Sequence, residues 1–556
     1  MCDPAAIQLL AAELHLPVAI CRLLCQRGYA TPARATRYLR PRLEQLHDPQ
    51  LMLDLDAAVA RLVAAIRAGE LIMVHGDYDV DGICSTTLLV RALRGSGARV
   101  LPFIPHRVTD GYDLSLAGVR AAQQAGAAVL LTCDCGTNAV EPVQAACAAG
   151  IDVIISDHHL PSGPLPRCVA ILNPKRPGCG YPDKDLAAVG VAFKLAVALA
   201  RALGQAEESV YELLDLVALA TIADVVPLRG ENRVLARYGL RRLMQSSNAG
   251  LRALIRSAGL DGKRLTAGRI GFILAPRLNA AGRLAHALRG VELLTTDNEH
   301  EANAIARELE ELNLRRQALD RDTLARARQM LHGIDLDETY GIMLAEEGWH
   351  PGVIGIVASR LVEEVCRPVV LVAMQGADGK GSGRSIPAFD LHAALDGCRD
   401  LLVRFGGHRS AAGVTVRAER LAEFGARFNA IARARLAPED LVPELRVDLD
   451  VPLADASRDF EALLRHFEPF GAGNASPVLV ARDVRLAAPA RQVGRGHLKL
   501  RLASDGAELE AVGWGMGPLA AELGEATALD VAFRLERDEW NGESRLQAKL
   551  ADIRLH

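Results

Sequence analysis

Short apolar runs that end in acidic residues recur along the first half of the chain. Leu71-Ile72-Met73-Val74 leads into His75-Gly76-Asp77-Tyr78-Asp79-Val80-Asp81-Gly82, and Ala128-Val129-Leu130-Leu131-Thr132 leads into Cys133-Asp134-Cys135-Gly136. Val153-Ile154-Ile155-Ser156 leads into Asp157-His158-His159. Ala/Leu-rich stretches of helical character separate these runs, so from about residue 55 the pattern predicts alternating strands and helices around a parallel sheet. A longer run, Leu216 to Ala223, precedes Asp224 and reads as helical at its start. In open parallel sheets, ligands collect at the carboxyl ends of strands, where loops distant in sequence converge. The four acidic ends are therefore expected in one place.

The remaining pattern divides the chain. Residues 1–50 read as a helical, Arg-rich lead-in. From Glu299 to Leu331, Ile305, Leu309 and Leu312 keep helical spacing and no Gly or Pro intervenes. A helix of that length spans about 50 Å, more than one small domain needs, so it should connect two domains. A second α/β unit follows, with an apolar strand from Pro368 to Ala373 and glycine-rich stretches at Gly379–Gly383 and Gly406–Gly407. After Pro443, short alternating runs such as Leu498-Lys499-Leu500-Arg501-Leu502 predict a small β-barrel. The expected fold class is α/β: a parallel-sheet domain over 51–298, a connecting helix over 299–333, a second α/β domain over 334–442 and a barrel over 443–556.

Composition adds limits. The 556 residues are half apolar, 24% charged and carry a formal charge of −4, which excludes general disorder. Near-neutral charge argues against a nucleic-acid partner. Locally the picture reverses: Leu251–Gly290 holds Arg252, Arg256, Lys263, Arg264, Arg269, Arg277, Arg283 and Arg289 against Asp261 alone, a surplus of seven positive charges. No apolar run reaches the roughly 18 residues of a membrane span, and no secretory signal is visible. The eleven cysteines form no CxxC pair, so neither a disulfide framework nor a zinc ribbon is expected. A cytoplasmic location follows as the expectation.

His75, Asp77, Asp79 and Asp81 fall within seven positions, and such alternating carboxylates repel unless a cation neutralises them. Carboxylates with imidazole favour Mn²⁺ or Mg²⁺ over thiolate-seeking ions. Asp134, His158 and Asp224 are further candidate ligands. Two ions bridged by one carboxylate would suit phosphoryl hydrolysis. A calcium loop is disfavoured, because its twelfth position, counted from Asp77, is Leu88.

These motifs resemble the four motifs of the DHH phosphoesterase superfamily. The resemblance implies two ions: His75 and Asp79 on one, Asp81, His158 and Asp224 on the other, with Asp134 between. It places Asp77, Asp157 and His159 in close catalytic support, with His159 toward the scissile phosphate or leaving group. Gly381-Ser382-Gly383-Arg384-Ser385 and Phe405-Gly406-Gly407-His408 look like the superfamily's associated domain. Leu278-Asn279-Ala280-Ala281-Gly282-Arg283, Glu347-Gly348-Trp349-His350-Pro351-Gly352, and Pro105-His106-Arg107 before Gly111-Tyr112 look like its single-strand exonuclease branch, whose OB-fold the barrel would match. That branch implies a 5′→3′ exonuclease on single-stranded DNA that releases mononucleotides in repair and recombination. Arg107, Arg283, Arg384 and Ser385 would receive the 5′ phosphate, with Asn279, Gly406, Gly407 and His408 also at the substrate. Trp349 is either a stacking residue or an interdomain anchor; Trp514 and Trp540 are barrel core or stacking platforms. The expected partners are a strand with a 5′ end, a helicase and a single-strand-binding protein, with no membrane and a monomeric state. A small-oligonucleotide or cyclic-dinucleotide phosphodiesterase is the rival enzyme, disfavoured by the barrel. A catalytically dead replication subunit is the rival binder, disfavoured by the complete ligand set.

Overall fold

The computed structural model describes residues 3–556 apart from 108, 112, 495, 524–527 and 541–542, and only the backbone at 539, 540 and 543. Tyr112 and the Trp540 side chain thus lie outside the described residues. Strands β1 (Leu71–Gly76), β2 (Arg99–Phe103), β3 (Val129–Cys133), β4 (Asp152–Ser156) and β5 (Ala170–Leu172) form a parallel sheet in the order β2-β1-β3-β4-β5. Strands β1, β3, β4 and β5 read as near-continuous apolar runs because both faces are covered, whereas the edge strand β2 is partly exposed. Ile72, Val74, Leu131 and Ile154 pack with the Val80–Gly95 and Ala188–Ala202 helices on one side. Met73, Leu130, Val153 and Ile155 pack on the other with the Leu116–Ala125 and Val140–Ala148 helices. The Leu216–Ala223 run is helical throughout, within a Leu214–Ala223 helix.

The Glu299–Leu331 helix is continuous for 33 residues. Ala302, Ile305, Ala306 and Leu309 bury in the first domain's core, whereas Leu324 and Ala327 bury in a core of the second. Between them lies a buried polar strip of Asn313, Arg316, Asp320 and Thr323. The second sheet contains β6 (Ile342–Glu347), β7 (Val369–Gln375), β8 (Asp378–Arg384), β9 (Leu402–Gly407) and β10 (Ala411–Arg417), ordered β6-β7-β8-β10-β9.

The last domain is a closed barrel. After a short β11 (Leu449–Asp450), β12 (Leu479–Val493), β13 (His497–Ser504), β14 (Ala507–Gly513), β15 (Leu529–Trp540) and β16 (Glu543–Leu555) run β12-β13-β14-β16-β15, and β15 pairs back to β12. Leu498, Leu500 and Leu502 point inward and Lys499 and Arg501 outward, the period-2 alternation of a half-buried strand. The lead-in acquires a place here: Leu10, Leu23 and Leu24 from its helices share one core with Leu479, Leu498 and Phe533. Buried Arg233 ties three parts together, donating to the carbonyls of Tyr38, His466 and Phe467 at 2.8–3.0 Å. No described helix is long and apolar enough to cross a membrane, and the ten described cysteines are free thiols.

Candidate active site

Strands β1, β3 and β4 are neighbours, with Gly76 opposite Cys133 and Cys133 opposite Ser156, so the loops leaving them open onto one edge. Asp79 caps the Val80–Gly95 helix: its Oδ1 accepts from the N–H groups of Asp81 and Gly82 at 2.9 and 3.2 Å. Both oxygens of Asp81 are held by the start of the Ala188–Ala202 helix, accepting from Ala188 and Val189 N–H at 2.7 and 2.9 Å. Asp224 ends the Leu214–Ala223 helix, and the next residue, Val225, has φ 60°. A β-branched side chain takes that left-handed conformation only when its surroundings impose it, a strain typical of functional sites.

Among the described residues, three sets of side chains at this edge bring ligand atoms within 4.8 Å of one another: Asp77, Asp79 and Asp134; Asp81, His158 and Asp224; and Asp134, His158 and His159; a fourth, Asp483, Asp530 and His556, lies in the barrel. Asp134 and His158 each belong to two. His158 Nε2 lies 3.2 Å from Asp134 and 3.6 Å from Asp224.

Burial, then repulsion between the carboxylates, pushes the acidity of these groups the same way. Asp77 and Asp134 are raised well above the usual range, Asp81 to about 7 and Asp224 to about 9. Burial, with the charge of His159, lowers His158 to about 3, leaving a neutral ring whose lone pair is available. Asp157 behaves oppositely. Although buried, it accepts from His159 Nδ1 at 2.8 Å and from the N–H groups of His158 and Thr137 at 2.7 and 3.0 Å, and it is held far below the carboxylate range. Burial opposes a charged His159, yet the bond to Asp157 lifts it to about 9, so the two form an ion pair.

Among the described residues, Asp77 Oδ1, His158 Nε2 and Asp224 Oδ2 are buried without a hydrogen-bond partner. Unpaired buried ligand atoms beside mutually repelling carboxylates fit hard divalent cations. His75 stands outside all three sets, contrary to its expected place beside Asp79. It is still within β1, on the same face as Met73, and its ring tilts against Phe103 with Nδ1 3.6 Å from Cys135 Sγ. The chain turns toward the site only after Gly76, so Asp77 stands beside Asp79 instead.

A second cluster adjoins the first. The Arg107 guanidinium lies over the Tyr78 ring, 4.7 Å from its centroid. Arg283 Nη1 donates to the Gly352 carbonyl at 2.8 Å, and Arg384 Nη1 donates to Ser382 Oγ at 3.0 Å. Burial, then the fields of Arg107, Arg316 and Arg384, lowers Arg283 to about 10, while Asp79 opposes the shift. Such converging cations next to the carboxylates make an anion receptor. Arg316 escaped the sequence reading because it sits mid-helix on the connecting helix, with no motif around it.

Other expected substrate residues are placed less directly. Asn279 is half-buried one turn before Arg283. Ser385 Oγ is engaged with the Phe389 carbonyl at 3.0 Å. Gly406, Gly407 and His408 are exposed at the β9–β10 turn, where His408 N–H donates to the Ala411 carbonyl. The structure corrects the roles considered for Trp349: it is 7% exposed and packs with Leu324 and Ala327 inside the second domain's core, neither a stacking face nor an interdomain anchor. Trp514, by contrast, is 62% exposed.

The expected positive surface over Leu251–Gly290 is also corrected. Arg252 and Arg256 pair with Glu299, Arg277 with Glu310, Arg289 with Glu292 and Glu308, and Arg264 with Glu468. The acids come mostly from the connecting helix, a part of the chain that a window ending at Gly290 does not contain. A groove of about 660 Å³ between the first domain and the barrel takes in the Arg264–Arg269 part of that window; Arg237, Arg241, Arg269, Arg465 and Arg537 line it with Glu461, Glu468 and Glu536, and Arg465 and Arg537 pair with Glu461.

The domain described as "DHH family, N-terminal domain" matches residues 71–221, and the DHHA1 domain and RecJ OB domain match 338–434 and 447–552. The single-stranded-DNA-specific exonuclease RecJ of Bacillus subtilis is 38% identical over 554 residues, covering 99% of this chain and 70% of that protein. The chain belongs to the RecJ family. RecJ of Thermus thermophilus in complex with Mn²⁺ aligns with TM-score 0.85 and 35% identity, covering 100% of this chain and 78% of that one. RecJ from the same organism in complex with Mg²⁺ gives 0.79 and 34%, covering 100% and 77%. In the RecJ-family chain described here, Asp224, Arg283 and the connecting helix all fall between the matched ranges, so the site is completed by residues outside them.

Proposed function

We propose that this chain is a single-strand-specific DNA exonuclease that works from the 5′ end and releases mononucleotides, in repair and recombination in the cytoplasm. The observation that carries this reading is Asp134, which joins Asp77 and Asp79 in one ligand set and lies 3.2 Å from His158 of the Asp81, His158 and Asp224 set, beside the arginine receptor. Support comes also from the relatives named single-stranded-DNA-specific exonuclease. Asp77, Asp79 and Asp134 would hold one Mn²⁺ or Mg²⁺, and Asp81, His158 and Asp224, with Asp134, the other. Bound there, the ions supply the Lewis acidity that activates water and neutralises charge developing on the phosphoryl oxygens.

The chain's own residues do the rest. Asp157 accepts from Nδ1 of a protonated His159 and so orients its ring, the donor proposed for the phosphate or the departing 3′ oxygen. Arg107, Arg283 and Arg384, with Arg316, fork onto the terminal phosphate, so the strand is held by its 5′ end with the next phosphodiester at the carboxylates. Asn279 and Ser385 flank that receptor, and Gly406, Gly407 and His408 meet the strand from the second domain. The basic groove leads the strand on toward the barrel, where exposed Trp514 offers a base-stacking face. The protein acts as a monomer on ends unwound by a helicase, beside a single-strand-binding protein.

A chelator-stripped preparation tests the chemistry. Adding Mn²⁺ should restore mononucleotide release from a single-stranded oligonucleotide, and Asp134→Ala should lower it by about a thousandfold or more, several kcal/mol of lost transition-state stabilisation. Undiminished release by Asp134→Ala, or release that ignores metal, contradicts the reading.

A further inference from the structure

Arg107 reaches the receptor from the segment after β2, and two side chains clamp that segment to the metal-ligand loops. Tyr78, between Asp77 and Asp79 in sequence, places its ring under the Arg107 guanidinium at 4.7 Å. On the far side, Asp113 adopts φ 75° and its Oδ1 accepts from the Gly136 N–H at 2.7 Å and from the Leu114 N–H at 2.8 Å. Gly136 follows Asp134 by two residues, and its φ of 108° is one that side chains rarely adopt. A Cβ there would also stand 2.8 Å from Thr132 Oγ1, so the N–H that Asp113 captures is held in place by backbone that only glycine suits. The segment that carries Arg107 thus meets the Asp77–Asp79 loop through Tyr78 and the Asp134 loop through Asp113.

We propose that Tyr78 and Asp113 are positioning residues that set Arg107 relative to the Asp77, Asp79 and Asp134 carboxylates, and so make cleavage depend on a 5′-phosphoryl end. This rests on the reading of Arg107 as part of the phosphate receptor. Neither residue touches the substrate; each acts through Arg107. For Tyr78 the ring face carries the effect and the hydroxyl does not, because a cation over an aromatic face is attracted by the ring quadrupole. A flat, fixed guanidinium loses less freedom on capturing phosphate than one on a loose segment, and the benefit is confined to ends that carry the phosphate.

The test uses full-length, Mn²⁺-loaded protein and matched single strands bearing 5′-phosphoryl or 5′-hydroxyl ends, following the first cleavage only. The wild type, Arg107→Ala, Tyr78→Phe, Tyr78→Leu and Asp113→Ala are compared by the ratio of kcat/KM for the two ends, with Mn²⁺ affinity measured by calorimetry. Tyr78→Leu and Asp113→Ala should each lower the ratio about tenfold, mainly through KM for the phosphorylated strand, with Mn²⁺ affinity kept. Tyr78→Phe should keep the wild-type ratio. A wild-type ratio in both Tyr78→Leu and Asp113→Ala, with Arg107→Ala lowered, overturns the positioning role. An unchanged ratio in Arg107→Ala overturns the receptor reading instead. Should either variant weaken Mn²⁺ binding, the other decides; weakened Mn²⁺ binding in both assigns the two residues to the ligand loops and overturns the positioning role. A ratio lowered in one variant only assigns the role to that residue and removes it from the other.

Discussion

Asp134 and Asp157 leave adjacent strands, are equally buried, and titrate in opposite directions. Four donors, counting His159, hold Asp157 as an anion, whereas Asp134 faces other carboxylates and is driven toward protonation. The protein has thus separated a permanent ion pair from a set of groups that need a cation. A pH dependence follows. Asp81, at about 7, and Asp224, at about 9, bind protons more tightly in the fold than at their ordinary value of 3.8. Protonation therefore favours the metal-free native state; that contribution is complete below about pH 4 and is lost as pH rises through both folded values. His158, lowered from 6.5 to about 3, acts in the opposite sense only below about pH 6.5. Between about pH 6.5 and 9 the Tm of chelator-treated protein should fall more steeply than that of Mn²⁺-loaded protein, in which the raised His159 still loses its proton, so the gap widens. A gap that narrows over that window would contradict the assignment. At this scale Asp134 and Asp157 were visible in their motifs. Asp113 and Arg316 were not, because their partners are set by the fold rather than by neighbours in the chain.

At the scale of elements, the strands and the connecting helix were legible because apolar periodicity and length both point one way. The Leu216–Ala223 run was harder: its helix is buried nearly all round, which erases the polar stripe that would mark helical period. The displacement of His75 was not legible either, since spacing alone cannot say where β1 ends and its loop begins. One tight joint in the site lies at the start of the Val80–Gly95 helix. A Cβ on Gly82 would stand 2.3 Å from the Asp77 carbonyl oxygen and 2.6 Å from its nitrogen, both backbone atoms. Alanine normally gains about 1 kcal/mol over glycine inside a helix. Here the clash, typically about 1–3 kcal/mol and more against rigid backbone, should win. Gly82→Ala should lower the denaturation midpoint and weaken Mn²⁺ binding. A stabilised variant with normal Mn²⁺ affinity would refute this.

Across the whole molecule, charge is meaningful only after folding has paired it. The chain sum of −4 hides an acidic centre, and the basic Leu251–Gly290 window conceals acids supplied by the connecting helix. The cations of the proposed receptor, Arg107, Arg283 and Arg384, with Arg316 beside them paired to Asp320, come from four separate parts of the sequence and could not be seen as a patch in it. The lead-in was equally opaque, because its apolar residues are matched by a barrel more than four hundred positions away, as in the bond from Arg27 to Asn474. In the proposed reading, the two α/β domains, their connecting helix and the barrel together place one 5′ end at one carboxylate centre. The most direct test is a single strand labelled at either end, beside the same sequence as a blunt duplex and beside Asp81→Ala protein. The account predicts prompt release of the 5′-labelled mononucleotide, late appearance of the 3′ label, near-inert duplex and no release by the variant. Equal attack from both ends, or comparable degradation of the duplex, would contradict it.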